Sequence, residues 1–80
     1  MPRFFFDTYD GETFIPDQEG LELGGLKEAE DQAARCLPDM AQDALPDSDR
    51  RDFVVAVRNE SGETVLRAGL SLVIERLVQS

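Results

Sequence analysis

Histidine and tryptophan are absent from this 80-residue chain, and cysteine occurs once, at Cys36. Without histidine there is no imidazole acid or base, no histidine-based triad and no imidazole metal ligand. A single thiol builds neither an intramolecular disulfide nor a structural zinc site. Positive charge is scarce as well: eight Lys and Arg face 17 Asp and Glu, for a net charge of -9. Phosphate backbones are bound by clustered Lys and Arg, so a field of this sign argues against nucleic acid as a partner. Long apolar runs are missing too. The best, Leu70 to Ile74, is broken by Ser71 and followed by Glu75 and Arg76, far short of the ~18 residues a membrane helix needs. The opening Met1-Pro2-Arg3-Phe4-Phe5-Phe6-Asp7 lacks the ~7–15-residue apolar core of a secretory signal. These absences predict a cytoplasmic protein that needs no membrane, metal or cofactor.

What is present suits one small domain over residues 1–80. A chain of this length hides only ~60–65% of the surface its unfolded form exposes, so its core is modest and a second subunit would help it. The charge has a geography. Asp7 to Asp31 holds nine carboxylates against Lys27 alone, whereas Arg50, Arg51, Arg58, Arg67 and Arg76 all lie in the second half.

Residues 2–9 read as a strand rich in phenylalanine, and Asp10-Gly11 supplies the two positive-φ positions of a type I′ turn into a return strand at 12–16. That register pairs Tyr9 with Glu12 and Phe6 with Ile15, and puts Phe4, Phe6 and Ile15 on one face. Leu21-Glu22-Leu23 is a short extended piece, and Gly24-Gly25 is a joint. From Leu26 to Leu45, apolar residues at 26, 29, 33, 37, 40, 41 and 44 form the single stripe of an amphipathic helix. Pro38 predicts a kink or short break, and Pro46 a stop followed by a loop through Asp49. Asp52–Arg58 and Thr64–Ile74 then flank a hairpin loop with Gly62 at a left-handed position. In that hairpin Phe53, Val55 and Val57 oppose Leu70, Ala68 and Leu66, all pointing one way.

The elements predict an α+β fold of order β-β-α-β-β: a four-stranded antiparallel or mixed sheet with one Pro-kinked helix on one face. One helix covers one face. The other is left with Phe5, Tyr9, Phe14, Val54, Val65 and Val73. The last strand also runs beyond its hairpin mate, so residues 71–78 must pair with the first strand, pair with another subunit or turn helical.

Residues that invite chemistry have plainer readings. Starting a calcium loop at Asp7 puts Tyr9 at its third position and Glu12 where glycine is required, so the EF-hand pattern fails. Paired carboxylates need a cleft that raises one pKa, and a two-layer domain of this size has little room for one. Cys36 lies beside the apolar stripe and reads as packing. Ser61 and Ser71 have no base to activate them. Gly20, Gly24 and Gly25 precede no GK[ST] ending, so they form no phosphate loop.

Four segments carry a resemblance: the opening Met-Pro-Arg-Phe-Phe-Phe, Asp10-Gly11, Asp17-x-x-Gly20-x-Glu22-Leu23, and Arg50-Arg51-Asp52-Phe53-Val54-Val55 leading to Val65-Leu66. Together they resemble a family of short uncharacterised bacterial proteins, a domain of unknown function. Many members carry histidine after the aromatic run; Asp7 stands there in this chain, so no role of that histidine transfers. The resemblance implies the architecture and no activity, substrate or cofactor.

The expectation is therefore a non-enzymatic domain acting by protein–protein contact, as a homodimer or on another cytoplasmic protein. Its candidate interface residues are Phe5, Tyr9, Phe14, Val65, Val73 and Leu77. A second reading is an acidic regulatory module, antitoxin-like or ligand-sensing, whose field at residues 7–31 attracts a basic partner. A third is an enzyme using Asp and Glu alone.

Overall fold

Alternation organises the first strand: Phe4, Phe6 and Thr8 point to one side of β1 (Arg3–Asp10), and Arg3, Phe5, Asp7 and Tyr9 to the other. The structure, a computed structural model, describes residues 1–11, 13–42 and 50–78. After β1 come β2 (Thr13–Ile15), β3 (Leu21–Glu22), α1 (Leu26–Gln42), β4 (Arg50–Arg58) and β5 (Thr64–Val73). All strand pairs are antiparallel. The sheet runs β2-β1-β4-β5, and β3 pairs with β1 beside β2. The α+β class is as expected. Among the described residues the strand number is five rather than four, because the extended Leu21-Glu22 piece pairs with Phe4 and Arg3.

The helix lies across β4 and β5 on the face carrying Phe4, Phe6, Phe53, Val55 and Val57. Ala29 and Ala33 are wholly buried there beside Leu37. Small residues at 29 and 33 let the helix axis approach the sheet, and the large side chains come from below. Phe53, Val55 and Val57 are fully buried, each contributing about 1.5–3 kcal/mol of apolar burial. Leu23, Cys36, Met40, Ala41, Leu66, Ala68 and Leu72 pack around this centre.

Three expectations about detail are corrected. The first hairpin pairs Asp10 with Thr13, Tyr9 with Phe14 and Thr8 with Ile15. Its connection is therefore positions 11 and 12, one residue later than an Asp10-Gly11 turn. Gly11 takes the positive φ (62°), and among the described residues only glycines do. A glycine at the first central position of a two-residue loop serves the hairpin equally well. The shift preserves the faces but moves Ile15 from beside Phe6 to beside Thr8, off the helix-covered area, where it is 57% exposed.

The helix, second, runs unbroken through Pro38 to Gln42, which excludes the short break given as one of the two alternatives. Pro38 and Ala34 both lie on its solvent side, so the carbonyl that loses a donor meets water. Third, β5 does not overhang. β4 begins at Arg50, so Arg51 pairs with Leu72 and Arg50 with Val73; residues 74–78 are neither strand nor helix. The expected register of Phe53, Val55 and Val57 on Leu70, Ala68 and Leu66 is observed, with a bulge at Val57/Arg58 and Gly62 at φ 86°. The expected stop at Pro46 and loop to Asp49 fall outside the described residues.

Because Pro38 occupies an exposed helical position without a packing role, Pro38→Ala is expected to stabilise the fold. A gain of about 1–3 kcal/mol, read as a higher denaturant midpoint at unchanged slope, is the expected outcome.

Candidate interaction surface

Asp7 is the one charged residue buried among those described, 6% exposed, on the sheet face away from the helix. Its burial is satisfied from two directions. Arg58, at the end of β4, donates from Nε to Asp7 Oδ2 at 2.6 Å and from Nη2 to Oδ1 at 3.1 Å. The Asp17 N–H donates to Asp7 Oδ1 at 2.9 Å, and Arg58 Nη2 reaches the Asp17 carbonyl at 2.9 Å. Asp17 Oδ2 in turn accepts the Phe6 N–H at 3.0 Å, and its Oδ1 accepts the N–H groups of Glu19 and Gly20. One side chain thus occupies the gap between β2 and β3 on the outer edge of β1, where a strand would otherwise pair.

The same loop covers Phe5. The Arg58 guanidinium lies 5.0 Å from the ring centroid. A Cβ on Gly20, whose φ is +72°, would come within 2.9 Å of Arg3 Cγ, the Phe4 carbonyl oxygen and Phe5 Cε2. Glycine at 20 therefore lets the backbone lie directly on the sheet.

These contacts set the acids. The Arg58 hydrogen bond, aided by the Asp17 N–H, holds Asp7 below the ordinary carboxylate range against the cost of burial. Burial pushes Asp17 up, but the Phe6, Gly20 and Glu19 N–H groups and the Arg58 charge outweigh it and leave the net shift downward. Asp52 is lowered by the Ser71 hydroxyl and Arg50. An acid catalyst needs a carboxyl shifted the other way. Burial and the Asp39 charge push the Cys36 thiol up, away from thiolate character. Among the described residues, no three His, Cys, Asp or Glu are grouped to hold a metal ion. A shallow depression on the outer face of α1 is lined by Asp31, Ala34, Arg35, Pro38 and Asp39. Among the described residues no helix is long and apolar enough to cross a membrane.

The anticipated interface residues fall into separate places. Phe5 is half-buried beneath Arg58. Tyr9 and Phe14 stack with ring centroids 4.6 Å apart, tilted by 32°, and remain exposed on the uncovered face. Pairing extends their row through Val54 to Gly69, crossing four strands. Val65 and Val73 lie at opposite ends of β5, and Leu77, 89% exposed, lies beyond it. Ile15, Leu70, Ile74 and Val78 are exposed apolar residues that were not anticipated. For Leu70 the decisive signal is that β5 is an edge strand, which depends on strand order.

The direction of that edge's backbone groups follows from one bond. The Gly11 N–H donates to the Asp52 carbonyl at 3.0 Å, so residues 52, 54, 56 and 58 of β4 turn their polar groups toward β1. Residues 51, 53, 55 and 57 then face β5, consistent with the Asn59 N–H donating to the Glu63 carbonyl. By the same alternation Arg67, Gly69, Ser71 and Val73 direct N–H and C=O away from β4. Among the described residues no strand meets them.

Because Asp7 and Asp17 titrate lower folded than unfolded, the unfolded chain binds more protons in acid. Their contribution is complete above the unfolded value of about 4 and is lost as pH falls through the folded values. Thermal stability should be flat from about pH 5 to 7 and fall below about pH 4, less steeply in Asp7→Asn. Arg58→Met, which strands a buried carboxylate, should cost about 3 kcal/mol, and the double change Asp7→Asn with Arg58→Met should cost less. Chemical denaturation of the three variants checks this.

No curated protein and no solved structure matches the chain. A family model does, over residues 3–71, from the start of β1 to within β5, and so across the Asp7–Arg58–Asp17 network and most of the open edge. The chain belongs to that family, described as domain of unknown function (DUF6894).

Proposed function

We propose that the protein is a non-enzymatic cytoplasmic interaction domain that binds an extended protein segment along the free edge of β5. The observation that carries this reading is the edge itself: a ten-residue strand with outward backbone groups, one charged side chain and no proline. Edge strands of monomeric proteins are ordinarily blunted by lysines, prolines or covering loops, because their unpaired backbone groups recruit other strands. Strand addition draws affinity from main-chain hydrogen bonds and specificity from alternate side chains.

The reading of the acidic segment as bait for a basic partner has less support. Asp7, Asp10 and Glu22 already pair with Arg58, Arg51 and Arg3, and Asp17 is saturated by backbone donors.

Ser71→Pro removes one outward donor and the exposed Ser71–Asp52 side-chain bond while leaving the backbone bonds to β4 in place. Whatever the native chain retains in affinity capture or self-association, this variant should lose, with unfolding temperature little changed. Raising salt should barely weaken an edge complex, whereas binding through the acidic segment would fall steeply. Equal retention by both chains would rule out the β5 edge as the functional surface.

A further inference from the structure

We propose that the segment taken up by β5 is β5 of a second copy of this chain, antiparallel and centred on Gly69. This rests on the interaction-domain reading and names its partner.

Charge points to the same chain. Residues 1–49 hold thirteen carboxylates and three cations, whereas residues 50–78 hold five arginines and four carboxylates. Two chains of net charge -9 repel over most of their surface, and the β4–β5 hairpin is the near-neutral exception.

Geometry selects the register. Only residues 67, 69, 71 and 73 of the regular part of β5 offer outward hydrogen bonds, so a symmetric pairing must match odd positions with odd. Centring on Gly69 overlaps nearly the whole strand. It sets Leu66 on the partner's Leu72, Ala68 on the partner's Leu70 and Val65 at the partner's Val73, apolar on apolar, and pairs polar Arg67 with the partner's Ser71. Moving the centre to Ala68 puts Val65 on the partner's Ser71 and Thr64 on the partner's Leu72. A centre at Leu70 puts Arg67 on the partner's Val73. Both mix polar with apolar.

Arg67 supplies the third argument. It is exposed, and among the described residues no carboxylate pairs with it. Centred on Gly69, it stands opposite the partner's Ser71, whose hydroxyl donates to Asp52 at 2.6 Å within the same chain. Each Arg67 thereby faces the Ser71 hydroxyl and, beyond it, the Asp52 carboxylate that Arg50 also engages at 3.2 Å, twice across the twofold axis. No like charges oppose one another.

The pairing is tested by cysteine placement in a Cys36→Ser background. Gly69→Cys is sterically open, since its Cβ meets nothing nearer than the Phe53 carbonyl oxygen at 3.6 Å. Across a hydrogen-bonded pair its Cα atoms would lie about 5.5 Å apart, within disulfide range. Gly69→Cys should cross-link in mild oxidant, Ala68→Cys and Leu70→Cys singly should not, and the two combined should.

Arg67→Glu, which alters no contact inside one chain, should weaken self-association about tenfold at low salt without changing the circular dichroism spectrum. Cross-linking as strong at 68 or 70 alone as at 69 would overturn the register. A monomeric mass for the native chain at high micromolar concentration would overturn the second copy as partner. If that monomer still bound another protein and Ser71→Pro abolished the binding, the edge reading would stand without self-pairing; if neither occurred, both would fall.

Discussion

The bond between Asp7 and Arg58 joins residues 51 positions apart, and the far side of the sheet is arranged around it. Arg58 ends β4, Asp7 sits mid-β1, and Asp17 locks the intervening loop to both. Breaking the Asp17 contacts would free the Phe6 N–H and release the segment that leads into β3, and breaking the Asp7–Arg58 bond would free the guanidinium that lies over the Phe5 ring. A buried charge pair seldom adds much net stability over an apolar equivalent, but it is intolerant of alternatives. Here it specifies which loop conformation lies against β1.

That arrangement explains the division of labour between the two faces. The helix side is closed by shape: two buried alanines bring α1 down onto Phe53, Val55 and Val57. Among the described residues the other side has no second layer and is closed only locally, by the arginine and the Asp17 loop over Phe5. Away from that loop, Tyr9, Phe14 and Val54 stay at the surface in a row across the strands.

Much of this was legible beforehand, unevenly. The β4–β5 register could be read because six apolar residues had to share a face, and a one-residue slip would have inverted all of them. The helix was equally plain from its stripe at Ala29, Ala33 and Leu37. The first hairpin was less determinate, since one glycine after an aspartate fits either central position of the turn, and both choices keep Phe4 and Phe6 inward. Nothing local tied Asp7 to Arg58 or Asp17 to the Phe6 N–H, because these are tertiary contacts between ordinary charged residues. Strand order was likewise hidden, and with it the identity of β5 as an edge. The anticipated interface residues therefore included Val65 and Val73 for their apolar character and missed the outward backbone of Gly69 and Ser71.

The two edges of the sheet are not equivalent. On the β1 side the outer rim is broken into a three-residue strand, an aspartate side chain and a two-residue strand, with Pro16 in the break. A rim so interrupted offers no continuous template for a further strand. A sheet with one open margin and one sealed margin can consume its open margin only once. Association along β5 of two copies would therefore be self-terminating, because it leaves only the interrupted rims outermost.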